Sequence, residues 1–214
     1  MKILESAPYR YDKGIRILTL GKIDKAYDRL SKQIKKGDNV LDMGCGTGML
    51  TLHAAIKGAD VTGFDINSEM LEIARIRIEN SDFKENVNLL EMGVAELDNF
   101  DKNEFDVIMS GLCFSELSND EMNYTLKLSK KILKQNGLLI IADETKSNLF
   151  VFRFLNFLIR IPLVIVTYIL TQTTTKAVKG LEEKVTKAGF TIESIRKNKM
   201  RNFIELVARK NKEN

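Results

Sequence analysis

Cysteine and histidine are scarce in this chain of 214 residues, which has two cysteines, Cys45 and Cys113, and one histidine, His53. The cysteines form no CxxC pair and no Cys/His cluster, which argues against a disulfide framework and a structural zinc site. A reducing cytoplasm is the compartment that this cysteine usage implies. His53 falls in an expected helix and reads as a surface or packing residue. The first residues, MKILESAPYRYDKG, are charged from the start and hold no apolar run of signal-peptide length. No internal repeat is visible. A strong excess of one charge is also missing, since the formal net charge is only +4. The basic residues gather late, in RKNKMRN and ARKNKEN, as a solvated tail does. No basic stripe interleaved with aromatics stands out, so a nucleic-acid partner is not expected.

What is present is an ordinary globular composition, 44% hydrophobic and 29% charged. Length and composition suit one domain with a sizeable core. In GIRILTLGKIDKAYDRLSKQI the apolar residues Ile15, Leu18, Ile23, Tyr27, Leu30 and Ile34 recur at helical spacing, and Gly21 breaks the segment into two helices. From Asp38 short apolar runs alternate with helical ones. NVLDM, DVTGFDI, NVNLLEM, FDVIMSGL and LLIIADE read as strands. MLTLHAAIKG, NSEMLEIARIRIEN (with Asn67 or Ser68 as cap) and SNDEMNYTLKLSKKILKQNG (ending at Gly137) read as helices. Such alternation predicts a parallel sheet covered on both faces. KGLEEKVTKAG then predicts a helix, and FTIESIRK and NFIELVARK two strands. Their connection is too short for a crossover helix, so they should form an antiparallel hairpin at the sheet end.

The first strand runs into Asp42-Met43-Gly44-Cys45-Gly46-Thr47-Gly48. Its G-x-G-x-G spacing misses the dinucleotide fingerprint, because Met49 stands where the third glycine would be. The loop still lets backbone approach a ligand closely. Asp42 closes a buried strand, where a carboxylate suits an ammonium group or braces the loop. Asp65 closes the second strand, where a carboxylate can accept both hydroxyls of a ribose or cap the next helix.

Together, VLDMGCGTG and VTGFDINSEMLEIAR resemble the class I S-adenosylmethionine-dependent methyltransferases. The resemblance runs from Val40 to Asp143, and more loosely through LEEKVTKAGF to the end. It implies a Rossmann-like, seven-stranded α/β sheet, mostly parallel with an antiparallel last strand, and S-adenosylmethionine as cofactor. It implies that Gly44, Cys45 and Gly46 pass the methionine part, that Asp42 positions its amino group and that Asp65 holds the ribose. Ile66 and Met70 would flank the adenine, Ala95 and Glu96 would meet its edge, and Ser110 and Gly111 would supply backbone near the sulfonium. Val94 departs from the pattern, since many relatives carry there an acid that accepts from the adenine amino group. The N-terminal stretch MKILESAPYRYDKGIRILTLGKIDKAYDRL is similar to a group described as corrinoid-protein-associated methyltransferases. That likeness implies a corrinoid protein as partner, although no D-x-H-x-x-G cobalamin signature is visible.

Methyl transfer is a displacement that depends on alignment and exclusion of water, so a base is optional. The candidate base is Glu116 in SGLCFSEL. Tyr11, Cys113 and Asp143 are candidates to meet the acceptor, a small molecule or a corrinoid-linked group. The expected organisation is one domain: an N-terminal helical cap (1–37), a cofactor-binding core (38–143), an apolar insert (144–178), and a helix with hairpin (179–214). The insert holds LFVFRFLNFLIRIPLVIVTYIL at 149–170, long enough to span a bilayer. Arg153 and Arg160 would each cost about 2.5–3.5 kcal/mol in mid-membrane, and spanning would part the last strands from the sheet. The run is therefore expected to be a lid, with a dimer surface or a peripheral membrane contact as alternatives.

Four other functions compete. A nicotinamide-dependent oxidoreductase predicts a Tyr-x-x-x-Lys and a later third glycine, and neither is seen. A nucleic-acid amino-group methyltransferase predicts Asn/Asp-Pro-Pro-Tyr/Phe after strand four, where SGLCFSEL stands instead. A non-catalytic cofactor-binding protein, or a methyltransferase for a membrane-associated lipid or quinone, stays open.

Overall fold

The computed structural model describes residues 7–18, 21–145, 177–199 and 201–212. The apolar run 149–170, expected to be a lid, lies outside these residues. Among those described, no helix is long and apolar enough to cross a membrane.

Seven strands form one sheet in the order β3-β2-β1-β4-β5-β7-β6. They are β1 (Asn39–Met43), β2 (Asp60–Asp65), β3 (Val87–Glu91), β4 (Phe105–Gly111), β5 (Leu133–Glu144), β6 (Phe190–Lys197) and β7 (Phe203–Lys210). β1 through β5 pair in parallel, while β7 runs antiparallel to both β5 and β6. The expected seven-stranded sheet with its terminal hairpin is therefore the observed one. The helices are α1 (Ala7–Leu18), α2 (Lys22–Ser31), α3 (Met49–Ala55), α4 (Ser68–Glu79), α5 (Asn119–Ile132) and α6 (Leu181–Lys187).

Side chains alternate between two apolar layers, as a two-residue strand period requires. Leu41 and Met43 of β1, with Ile108 of β4, face one core built with Phe114, Leu126, Leu181 and Val185. Val40 of β1, with Val107 and Met109 of β4, faces a second core built with Ile23, Tyr27, Leu30 and Ala54. The parity places Asp42 on the face that carries α2 and α3. β1 lies between β2 and β4, so the connection reverses direction beside it. The carboxyl ends of β1 and β4 therefore open the crevice where such sheets bind ligands.

One boundary differs from the expected one. The helix read through Gly137 stops at Ile132, and β5 starts at once with Leu133. Leu133 pairs with Phe105 of β4 before the register shifts. That pairing and the left-handed Asn136 override the helical pattern of LKQNG. Ser118 caps α5, accepting from Glu121 N at 3.2 Å while the Glu121 carboxylate accepts from Ser118 N at 2.8 Å. Asn67 caps α4, accepting from Glu69 N and Met70 N.

Candidate functional site

Gly44, Gly46 and Gly48 all have left-handed backbone, with φ of 64°, 53° and 73°. At Gly44 a side chain is excluded twice, because a Cβ there would also lie 2.7 Å from both Cβ and Sγ of Cys113. The loop therefore folds against the end of β4 and turns its backbone toward the crevice.

Two carboxylates organise it. Asp65 accepts from Gly46 N through Oδ2 at 2.8 Å and from Asn67 N through Oδ1 at 2.9 Å. It thus ties the loop to the end of β2, and a carboxylate with about four acceptor sites still has two for a ligand. Asp42 is wholly buried. Its Oδ2 accepts from Thr51 Oγ1 at 2.6 Å, while Oδ1 has no hydrogen-bond partner. Burial raises its pKa to about 7, against the lowering effect of the Thr51 hydrogen bond and with some help from Asp65. A buried acceptor without a donor marks a place for one.

The cap closes over this loop. Gly21, left-handed at φ 69°, separates α1 from α2. α2 is packed in through Ile23, Ala26, Tyr27 and Leu30. It is also tied to β7, where Arg29 Nε donates to Glu205 Oε2 at 2.8 Å. α1 is held by a polar latch. Thr47 Oγ1 of the glycine loop donates to Asp12 Oδ1 at 2.6 Å, and Arg77 of α4 donates to Asp12, to the Thr47 carbonyl and to Thr47 Oγ1. A cavity results, lined by Tyr11, Asp12, Tyr27, Asp42, the loop and Gly111, among others. Neither phenol hydroxyl hydrogen-bonds to another described residue. Tyr27 is 6% exposed, and a Cβ at Gly111 would fall 2.4 Å from its hydroxyl oxygen. The end of β4 therefore has to be glycine for this ring to reach the pocket.

The remaining expected site residues are spread around the crevice. Cys45 is buried, and Cys113 is half-buried against Gly44. Burial first, then nearby carboxylates, pushes both thiols up, so they stay protonated. Glu116 is exposed at the rim, where the surrounding protein and then Asp65 raise its carboxyl above the ordinary range. Removal from water and then Glu116, Asp65, Asp12 and Asp143 raise the Tyr11 hydroxyl, which places it among four carboxylates. Asp143 differs from its expected role. It is wholly buried, and its two oxygens accept from Ser115 N at 3.1 Å and Glu144 N at 2.6 Å. It braces the loop after β4 and is not among the residues lining the cavity, and burial lifts its pKa to about 7. Ser110 is also wholly buried beneath the crevice, whereas Gly111 lines it.

On the far side Ile66 is 78% exposed, Met70 is buried beneath it in α4, and Ala95 and Glu96 are exposed. Glu96 accepts from Gly93 N through Oε2 at 2.8 Å and so caps its own helical turn. Val94 packs against the core. His53 pairs with Asp28 at 3.1 Å and meets the edge of Tyr27, which accounts for it as a packing residue. Among the described residues no group of three or more His, Cys, Asp or Glu side chains could hold a metal ion.

Sequence reading missed Asp12, Thr47, Arg77 and Tyr27. The latch joins residues 35 and 65 positions apart, which no local pattern reveals. Tyr27 counted only as an apolar position of its helix; the usable signal was the polar tip of a tyrosine on an otherwise aliphatic face.

Sheet order, glycine loop and paired carboxylates define a Rossmann-like methyltransferase fold of class I. Residues 34–212 match the family model described as "Methyltransferase domain", and the chain belongs to that family. It is similar to demethylmenaquinone methyltransferase of Symbiobacterium thermophilum, 29% identical over 150 residues, covering 68% of this chain and 59% of that one. It is also similar to the ubiquinone biosynthesis O-methyltransferase of Pelagibacter ubique, 31% identical over 119 residues, covering 56% and 47%. Among solved structures it resembles a SAM-dependent methyltransferase of Methanosarcina mazei, with TM-score 0.64, 23% identity and coverage of 84% and 95%. The chain thus spans about half to three-fifths of the length of these two curated relatives. The family's cofactor is S-adenosylmethionine. The residues present fit it: Asp42 Oδ1 offers an acceptor to an ammonium, the loop admits close approach, and Ile66 offers an apolar face at the rim.

Proposed function

We propose that this chain is an S-adenosylmethionine-dependent methyltransferase acting on a small-molecule acceptor. The observation that carries the reading is the buried Asp42 with its unpartnered Oδ1, beside a glycine loop that Asp65 ties down. When bound, the cofactor supplies an electrophilic methyl group on a sulfonium. In this reading Asp42 receives the ammonium, and Asp65 uses its remaining lone pairs for the ribose. Gly44, Cys45, Gly46 and Gly111 offer backbone, while Ile66 and Met70 flank the adenine. Ala95 and the free oxygen of Glu96 lie at its edge, Ser110 supports β4 from below, and the core-packed Val94 accepts nothing. α1 excludes water, and Tyr11 and Cys113 border the acceptor's side. Glu116, raised in pKa and open to the rim, takes a proton where the acceptor has one to lose. Asp143 sets the position of the segment that carries Cys113 and Glu116.

The N-terminal resemblance supports an acceptor linked to a corrinoid protein. A second reading is a membrane-associated quinone or lipid, favoured by the names of two relatives and by the apolar 149–170 sequence, which holds Arg153 and Arg160 and is followed by Lys176 and Lys179. Calorimetry with S-adenosylmethionine tests the cofactor assignment. Asp65→Ala should weaken binding roughly tenfold to a hundredfold, the worth of hydrogen bonds to a charged group. Unchanged affinity would sink the ribose role. Transfer of an isotopic methyl group to a panel of quinols, thiols and cob(I)alamin proteins identifies the acceptor, and tight binding with no turnover on any of them would point to a non-catalytic protein.

A further inference from the structure

An amino-acid end carries two charges on one carbon, so a pocket that receives it must answer both. Asp42 Oδ1 answers the ammonium. The carboxylate needs donors, and among the described residues that line the cavity under α1 there is no lysine, arginine or histidine. Arg77 is already committed to Asp12 and Thr47. Several of the loop's own donors are also engaged. Gly46 N serves Asp65, Cys45 N serves the Phe64 carbonyl at 2.8 Å, Gly48 N serves the Cys45 carbonyl at 2.9 Å, and Thr47 Oγ1 serves Asp12. Leu112 N donates to the Ala142 carbonyl at 2.8 Å. Among the side-chain hydroxyls of the described lining residues, those of Tyr11 and Tyr27 remain uncommitted.

We propose that Tyr27, assisted by Tyr11, holds the α-carboxylate of the bound cofactor by donating phenolic hydrogen bonds, in the place where a cation would otherwise be used. The position of Tyr27 is built with care. Its helix is anchored by Arg29 on Glu205, its ring edge rests on His53, and Gly111 leaves room for its oxygen. Burial and the carboxylates around it keep both phenols in the protonated, donating form. Neutral donors suit a pocket that already contains Asp12 and Asp42. A cation placed there would be drawn into a competing ion pair with either aspartate, whereas a neutral hydroxyl is not. Tyr27 is here a positioning residue, fixing the amino-acid end so that the sulfonium side faces the acceptor.

This proposal rests on the cofactor assignment, and two ligands separate the two. Calorimetry would compare S-adenosylmethionine with its decarboxylated form on wild type, Tyr27→Phe, Tyr11→Phe and the double variant. Wild type should favour the intact cofactor. Tyr27→Phe keeps the ring and its packing, so it should lose roughly tenfold to a hundredfold in affinity for the intact cofactor and little for the decarboxylated one. The double variant should abolish the preference. Gly111→Ala, which displaces the Tyr27 hydroxyl, should mimic Tyr27→Phe. Equal weakening of both ligands by Tyr27→Phe would show a merely structural ring and overturn the proposal, as would a preference that survives the double variant. Absence of binding of either ligand to wild type would instead overturn the cofactor assignment, and this proposal with it.

Discussion

Asp42 illustrates how far one residue's surroundings can change its chemistry. Buried and half-satisfied, its carboxyl holds a proton up to about pH 7 in the ligand-free protein. An ammonium at Oδ1 favours the carboxylate, so binding should release a proton in the acid range. Affinity for S-adenosylmethionine should therefore rise between about pH 5.5 and 8, by at most about tenfold per pH unit. Calorimetry in buffers of different ionisation enthalpy would count the proton, and Asp42→Asn should eliminate it. A pH-independent affinity with no proton release would contradict the role. The same burial acts on folding with the opposite preference. Asp42 and Asp143 both have folded pKa values raised above the unfolded range near 3.9. Their contribution is complete below that range and is lost as pH rises through about 7. The ligand-free protein should therefore lose part of its thermal stability between pH 5 and 8, and the cofactor should restore it. Asp42, Gly44 and Asp65 were legible in the sequence because they end short apolar runs beside glycines. Tyr27 was not, since its helical spacing is that of a core residue and only the fold turns its hydroxyl toward the loop.

At the scale of elements the cap divides in two. α2 belongs to the core, through four apolar residues and the Arg29–Glu205 pair. α1 leaves it at Gly21 and is attached to the glycine loop by the Asp12–Thr47–Arg77 latch. Arg77→Ala removes both of the latch's ties to α4. Hydrogen exchange of backbone amides in 7–18 should then quicken about tenfold or more, the worth of a charged hydrogen bond, while β1 and β4 keep their protection. The cofactor's dissociation should quicken with it. An α1 that exchanges as slowly as before would mean that the Arg77 ties do not hold it. Both cap helices and the break at Gly21 could be read from periodicity. Their attachment could not, because it is made by polar side chains far apart in the chain. The end of α5 shows the converse. LKQNG continues the helical pattern, but pairing of Leu133 with Phe105 made it strand.

For the whole molecule, the topological reversal beside β1 gathers the glycine loop, the cap and the segment after β4 at one end of the sheet. The insert 149–170 follows β5, which also ends there. Its sequence suits a lid, a dimer surface or a membrane contact, and these make different predictions for the intact chain. If the acceptor is a membrane quinone, the protein should float with vesicles rich in anionic lipid, and Arg153→Glu with Arg160→Glu should release it. A monomer by light scattering that ignores vesicles leaves the lid and a soluble acceptor.

Sequence alone determined the order of strands and helices, the parallel sheet with its terminal hairpin and the glycine loop that ends β1. Those features follow from local periodicity and from where glycines and carboxylates interrupt it. The tertiary structure decided which polar groups remain unanswered: Asp42 keeps an oxygen without a partner, Asp143 accepts from two backbone amides, and the phenols of Tyr11 and Tyr27 line the cavity. Burial and hydrogen-bond accounting depend on what every neighbour has already used, and that is settled only when distant parts of the chain are packed together.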